Sequence, residues 1–178
     1  MKTVKIKDRE FVSFIPEAEI LKSVDVVAEQ MNKDLEGKNP LFVCVLNGSF
    51  MFASDLMKRL TIPCEISFVR TSSYSGTATT GEVKMLYGLH ESIEGRTVVI
   101  VEDIIDTGNT MVQLLKQFEA LSPKQLLVST LLFKPEALQH ELKVDYVALN
   151  IPPDFIVGYG LDYDGYGRNL ADIYKLKE

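Results

Sequence analysis

Residues 98–110, VVIVEDIIDTGNT, constrain the fold of this chain more than any other stretch. The segment opens on an unbroken run of β-branched apolar residues. A strand half-exposed to water would alternate, so this one is expected to be buried on both faces, as in a parallel sheet covered by helices. Two acids follow, then Asp106-Thr107-Gly108, after which Met111, Leu114, Leu115, Phe118 and Leu121 recur at helical spacing until Pro123. A strand, an acidic turn and an amphipathic helix in that order place the turn at the carboxyl edge of a sheet. The expectation is a strand over 97–101, a loop carrying Glu102 and Asp103, and a helix beyond Gly108.

The same alternation runs through the middle of the chain. Pro16-Glu17 suits a first helical turn, and Ile20, Val24, Val27, Met31 and Leu35 mark one amphipathic helix ending at Gly37. The run LFVCVL over 41–46 predicts a second buried strand. Asn47-Gly48-Ser49 turns from it into a helical segment carrying Phe50, Ala53, Leu56 and Leu60. Residues 64–71 and 82–88 alternate and predict partly exposed strands, while the stretch between them, SSYSGTATTG over 72–81, has hydroxyls and glycines but hardly an apolar anchor. That stretch is expected to be a mobile loop. Residues 125–133 and 145–149 supply two more strands, and a tail rich in Gly, Pro, Tyr and Asp follows. The pattern predicts an α/β fold with a parallel sheet, in one domain spanning 1–178, since neither a repeat nor a linker divides the chain.

A net charge of -6 and a pI of about 5.0 give no positive field to attract nucleic acid or an anionic membrane, so any phosphate must be bound locally. The start, MKTVKIKDREF, lacks an apolar signal core, and no run approaches the ~18 apolar residues of a membrane span, so a cytoplasmic protein is expected. Cys44 and Cys64 match no zinc or redox spacing and are expected to be core thiols. His90 and His140, flanked by polar residues, are assigned to the surface.

The turn after the central strand has the chemistry of an anion site. A helix amino terminus offers unpaired N–H groups and a partial positive charge; Gly108 allows close backbone approach, and Thr107 and Thr110 add hydroxyl donors beside Asn109. With one glycine and no following lysine, the segment is neither a Walker A loop nor a dinucleotide fingerprint. Glu102 and Asp103 would repel a phosphate at contact, but carboxylates accept from vicinal hydroxyls and suit a hard Mg²⁺ ion. An acid pair alone would be an ordinary solvated loop, and DTGNT alone an ordinary helix cap. Taken whole, the run closely resembles the signature of the purine phosphoribosyltransferases: an apolar strand, an acidic pair, two apolar residues and Asp-[Thr/Ser]-Gly-x-Thr.

Over residues 41–168 the chain is similar to the hypoxanthine-guanine phosphoribosyltransferases. The resemblance implies a type I phosphoribosyltransferase fold, a mostly parallel twisted sheet flanked by helices with a small hood formed by terminal segments. It implies transfer of a phosphoribosyl group from phosphoribosyl pyrophosphate to N9 of a 6-oxopurine, with Mg²⁺, in a homodimer or homotetramer. Glu102 and Asp103 would hold ribose hydroxyls and metal, Asp106 to Thr110 the 5-phosphate, and Asp106 would also exchange a proton with purine N7. Lys134 matches the lysine that donates to the 6-oxo group, Phe155 the aromatic that stacks on the base, and Ile156 a backbone contact to it. Without the resemblance, Lys134 would be a solvated strand-end lysine and Phe155 equally a core residue.

Asp162 matches a ligand of a second Mg²⁺, Arg168 a pyrophosphate-binding guanidinium, and Ser73-Tyr74 the start of a lid over the site. Asn47-Gly48 stands where the family commonly has Lys-Gly or Arg-Gly at its pyrophosphate loop, so the side-chain charge is missing there. Two rivals compete with this reading. A receiver domain would carry its acid pair on the first strand. A non-catalytic sensor of phosphoribosyl pyrophosphate would have no need of Lys134, Phe155 and Asp162 together.

Overall fold

Two sheets share the chain. In the computed structural model, residues 2–73 and 83–177 are described. In chain order the elements are β1 (Thr3–Ile6), β2 (Arg9–Ile15), α1 (Glu17–Asp34), β3 (Leu41–Leu46), α2 (Phe50–Met57), β4 (Glu65–Ser73), β5 (Val83–Tyr87), β6 (Thr97–Ile105), α3 (Asn109–Glu119), β7 (Gln125–Phe133), a 3-10 turn at Pro135–Ala137, β8 (Tyr146–Asn150), β9 (Ile156–Val157) and β10 (Ile173–Leu176). The larger sheet runs β5-β4-β3-β6-β7-β8, parallel throughout except for the antiparallel edge strand β5.

The unbroken apolar runs are explained by burial on both faces. Along β6, Val99 and Val101 point into a core shared with Ile20 and Val24 of α1 and Phe52 and Leu56 of α2. Val98 and Ile100 point into a second core with Met111, Leu114 and Phe118 of α3. Leu41 and Val43 of β3 join the α3 side, and Phe42 and Cys44 the other. All four valine and isoleucine side chains at 98–101 are fully buried. Burial of each stabilises the fold by about 1.5–3 kcal/mol, which fixes the strand's register against slippage.

From β3 the chain works outward through β4 and β5, returns to β6, and works outward the other way through β7 and β8. The order therefore reverses between β3 and β6, and the crevice beyond their carboxyl ends is where an open α/β sheet binds ligands. Leu41 pairs with Val98 and Cys44 with Val101, so Asn47-Gly48 and the acidic pair emerge side by side.

Strand β6 extends beyond the expected end at residue 101. Ladder pairs Glu102 with Thr130 and Ile105 with Phe133 carry it to Ile105, so the acids lie on the strand's last turns rather than in a loop. The helix expected to reach Leu60 ends at Met57. The predicted loop over 72–81 begins with Ser72 and Ser73 at the end of β4, paired with Lys84 and Val83, and Tyr74 with the rest of that loop lies outside the described residues.

The smaller sheet, β1-β2-β10-β9, is antiparallel and joins the two ends of the chain. It forms the hood implied by the family resemblance, sealed by Ile6, Phe11, Val157 and Tyr174. Among the described residues no helix is long and apolar enough to cross a membrane.

Candidate active site

The acidic pair owes its character to where β6 ends. Glu102 is buried, and Asp103 Oδ1 accepts from its neighbour Ile104 N–H at 2.8 Å. Burial, and then the charge of Asp103, holds the Glu102 carboxyl well above the usual carboxylate range; burial raises Asp103 too, against the partial opposition of its hydrogen bonds with Glu102 and Ile104 N–H and of the Arg168 charge. Two carboxyls with so little water resist carrying two charges unless a cation joins them.

Gly48 makes their neighbourhood possible. A Cβ there would lie 1.6 Å from Asp103 Oδ2, so the carboxylate occupies the space a side chain would need. The turn after β3 and the end of β6 are thus in contact. Gly160 closes on the same turn from the hood side, its missing Cβ position 2.1 Å from the Gly48 carbonyl oxygen.

Beyond the acids, Asp106 and Thr107 lead into Gly108, which takes φ 83° in the left-handed region and precedes the first residue of α3, Asn109. The N-cap residue Gly108 has no side chain to cap the helix, and the first N–H, that of Asn109, reaches only Thr107 Oγ1 at a long 3.4 Å, which leaves the amino terminus accessible to an external acceptor. Glu102, Ile104 to Thr110 and Met111 line a depression of about 230 Å³. It is shaped by backbone N–H groups and hydroxyls and has no lysine or arginine in its lining.

A second depression of about 230 Å³ lies alongside, lined by Asp103, Asp106, Lys134, Phe155, Ile156, Leu161 and Asp162 among others. Lys134 directly follows β7, its backbone N–H donating to Ile105 O at 3.0 Å, and its ammonium donates to Asp106 Oδ2 at 2.8 Å. The lysine side chain is 8% exposed and that of Asp106 49%, so the ion pair is buried at one end and wet at the other. Phe155 is 45% exposed, yet it is held from behind: its ring lies 6.2 Å from Phe11 and stands edge-on to Tyr163 at 6.0 Å. This leaves an aromatic surface open to a planar ligand on a rigid backing.

Arg168 donates through Nη1 to Gly160 O at 2.7 Å and pairs through Nη2 with Asp162 Oδ1 at 2.7 Å. Asp162 Oδ2 also accepts from Gly165 N–H at 2.6 Å. The residues the sequence singled out therefore gather along one crevice: Asn47-Gly48, Glu102-Asp103 and the 106–110 loop on the core, and Phe155, Ile156, Asp162 and Arg168 on the hood side, with Lys134 between them. Asn47 is exposed, next to buried Gly48.

No described group of three or more His, Cys, Asp or Glu side chains forms a metal cage. The donor set instead offers a buried Glu102 carboxyl beside a half-buried Asp103, a pair that fits a hard divalent ion able to take its remaining ligands from substrate oxygens and water.

Three contributors escaped the sequence reading. Phe11, in a segment given no assignment, backs Phe155. Gly160 packs on Gly48, for which the Gly-rich tail was a general signal only. His140 is exposed, as its polar setting implied, but its hydrogen bond to Asn109 had no signal in the sequence.

Comparison with known proteins bears on this geometry. The phosphoribosyl transferase domain family matches residues 16–164. The hypoxanthine-guanine phosphoribosyltransferase of Streptococcus thermophilus is 42% identical over 173 residues, 97% of this chain and 96% of the relative. That of Streptococcus pyogenes is 44% identical over 163 residues, 91% of each. Among solved structures, a hypoxanthine phosphoribosyltransferase from Staphylococcus aureus superposes with a TM-score of 0.88 at 39% identity, covering 93% of this chain and 90% of the other. The Trypanosoma cruzi hypoxanthine phosphoribosyltransferase in complex with the product IMP gives 0.88 at 37% identity, covering 98% and 97%.

Proposed function

The chain belongs to the phosphoribosyl transferase family, and from that premise we propose how the groups in its crevice share one reaction. It is a purine salvage enzyme that transfers the 5-phosphoribosyl group of phosphoribosyl pyrophosphate to N9 of hypoxanthine, giving IMP and pyrophosphate, with guanine as a second 6-oxopurine substrate. The observation that carries the base assignment is the Lys134–Asp106 pair beside Phe155, next to the phosphate loop.

The purine stacks on the open face of Phe155, and the Lys134 ammonium donates to O6. An ammonium has donors only, so it matches a 6-oxo group and opposes a 6-amino group. Asp106, freed from Lys134 as the base enters, moves the proton at N7. The 5-phosphate sits on the N–H groups of residues 107–110. Glu102 and Asp103 accept from the ribose hydroxyls; together with Asp162 they are the residues that would hold Mg²⁺. Bound there, Mg²⁺ supplies positive charge to the departing pyrophosphate. Arg168 and the backbone of Asn47-Gly48 hold that anion in place, and because Asn47 contributes no charge, more of the load falls on Arg168.

Ser73 and Tyr74 belong to the segment assigned to closing over the site and excluding water. The acidic chain works in the cytoplasm as one domain, 1–178, within a homodimer or homotetramer. Mixing the protein with phosphoribosyl pyrophosphate, Mg²⁺ and hypoxanthine or guanine should yield IMP or GMP with one pyrophosphate each. Absence of turnover with every 6-oxopurine would overturn the assignment and favour the non-catalytic sensor.

A further inference from the structure

The connection between β7 and β8 wraps around the phosphate loop. Gln139 N–H donates to the Thr107 carbonyl at 3.0 Å. A Cβ on Gly108 would lie 2.9 Å from Leu138 Cδ1, 3.6 Å from Leu142 Cδ2 and 3.9 Å from His140 Cδ2, so residues 138–142 close directly over the left-handed glycine. His140 Nε2 is hydrogen-bonded to Asn109 Oδ1, and with its Nε2 protonated the imidazole is the donor. This is the polar side-chain contact among the three. It falls on the first residue of a helix whose N-cap residue, Gly108, has no side chain of its own to offer.

The chemistry of an amide gives this contact a consequence. Asn109 has one acceptor and one double donor at nearly the same distance from its backbone, and an unrestrained amide beside an anion site can present either. An oxygen turned toward a phosphate dianion repels it; an NH₂ group attracts it. Once His140 engages Oδ1, the polar group left to Asn109 is Nδ2. We propose that His140 is a positioning residue for the sugar-phosphate subsite. It orients the Asn109 amide so that the donor faces the phosphate, and it steadies the Gly108 turn beneath. The proposal rests on the reading of residues 106–110 as the 5-phosphate loop.

The test pairs direct binding with kinetics. Affinity for ribose 5-phosphate is measured by calorimetry, and KM values for phosphoribosyl pyrophosphate and hypoxanthine, with kcat, by steady-state assay. In His140→Ala, the ribose 5-phosphate Kd and the phosphoribosyl pyrophosphate KM should rise about three- to ten-fold, the range for one lost hydrogen bond. Over the same change, kcat and the hypoxanthine KM should stay within about two-fold. His140→Gln places an amide nitrogen where Nε2 was and should recover most of the loss. In an Asn109→Ala background, His140→Ala should add nothing further.

Unchanged ribose 5-phosphate affinity in His140→Ala, a uniform fall in all kinetic constants, or a Gln variant no better than Ala would each overturn the proposal. If the His140 dependence of binding is found in a protein that forms no nucleotide, the functional reading fails and this one stands. If nucleotide forms but binding ignores His140, the reverse holds. A wild-type protein that does not bind ribose 5-phosphate overturns this proposal, while the functional reading is decided by nucleotide formation alone.

Discussion

Gly48→Ala isolates the contact between the turn after β3 and the end of β6. The added Cβ would lie 1.6 Å from Asp103 Oδ2 and 2.4 Å from its Cγ, so the carboxylate must withdraw by about 1.5–2 Å to reach an ordinary contact. Withdrawal strains the bond that Asp103 Oδ1 accepts from Ile104 N–H, and Glu102 beside it is buried and leaves little room. Overpacking of this kind costs about 1–3 kcal/mol of stability, a fall in Tm of roughly 2–4 °C per kcal/mol for a chain of this size. A catalytic group displaced by ~1 Å loses about 10²-fold in rate, so kcat/KM for phosphoribosyl pyrophosphate should fall by about that factor or more while the protein remains folded. The assay is steady-state nucleotide formation alongside thermal unfolding, repeated in an Asp103→Ala background. There the clash is gone, and Gly48→Ala should add little to the loss of stability. A Gly48→Ala protein with activity within about three-fold of wild type, or an equal stability penalty in both backgrounds, would refute the claim that Asp103 occupies this space for catalysis.

Two further outcomes follow from the same geometry. Lys134→Gln replaces three donors with a group that both donates and accepts; losing a charge-assisted bond worth about 1.5–3 kcal/mol should raise the hypoxanthine KM about 10- to 150-fold and narrow the preference over adenine. A preference left intact would show that another group reads position 6. Burial, helped by the charge of Glu102, pushes the Cys44 thiol from 9.0 up to about 12. Its folded value lies above the unfolded one, so its contribution to stability is complete below about pH 9 and is lost as pH rises toward 12. Cys44→Ala should flatten that alkaline loss in chemical denaturation, and a thiol reagent at pH 8 should reach partly exposed Cys64 before Cys44. Equal labelling rates would contradict the burial of Cys44.

What was legible in the sequence was what periodicity and buried backbone chemistry dictate. The runs at 41–46 and 98–101 announced strands covered on both faces because no alternation was present, and Gly108 with its flanking hydroxyls announced an open helix start. The limits were set by partners distant in sequence. Strand β6 runs on through Glu102 and Asp103 because β7 continues beside it as far as Phe133, and no local signal in two acids reveals a neighbouring strand. The hood strands β1, β2, β9 and β10 are short, and the pairing of β2 with β10 that closes their sheet joins residues more than 150 positions apart, such as Phe11 with Leu176. The family resemblance, and not the pattern, anticipated the hood. His140 is exposed, as its polar setting implied; what the sequence could not show is the wrap of residues 138–142 over Gly108 that gives it a partner.

The division of the acidic segment into sugar, base and phosphate duties stands or falls on Asp106. In Asp106→Asn the amide keeps the shape but cannot take the N7 proton, so kcat should fall by about 10²–10⁴-fold. Binding of phosphoribosyl pyrophosphate, measured directly in the presence of Mg²⁺, should change far less. Turnover equal to wild type, or a loss of binding as large as the loss of turnover, would contradict that division.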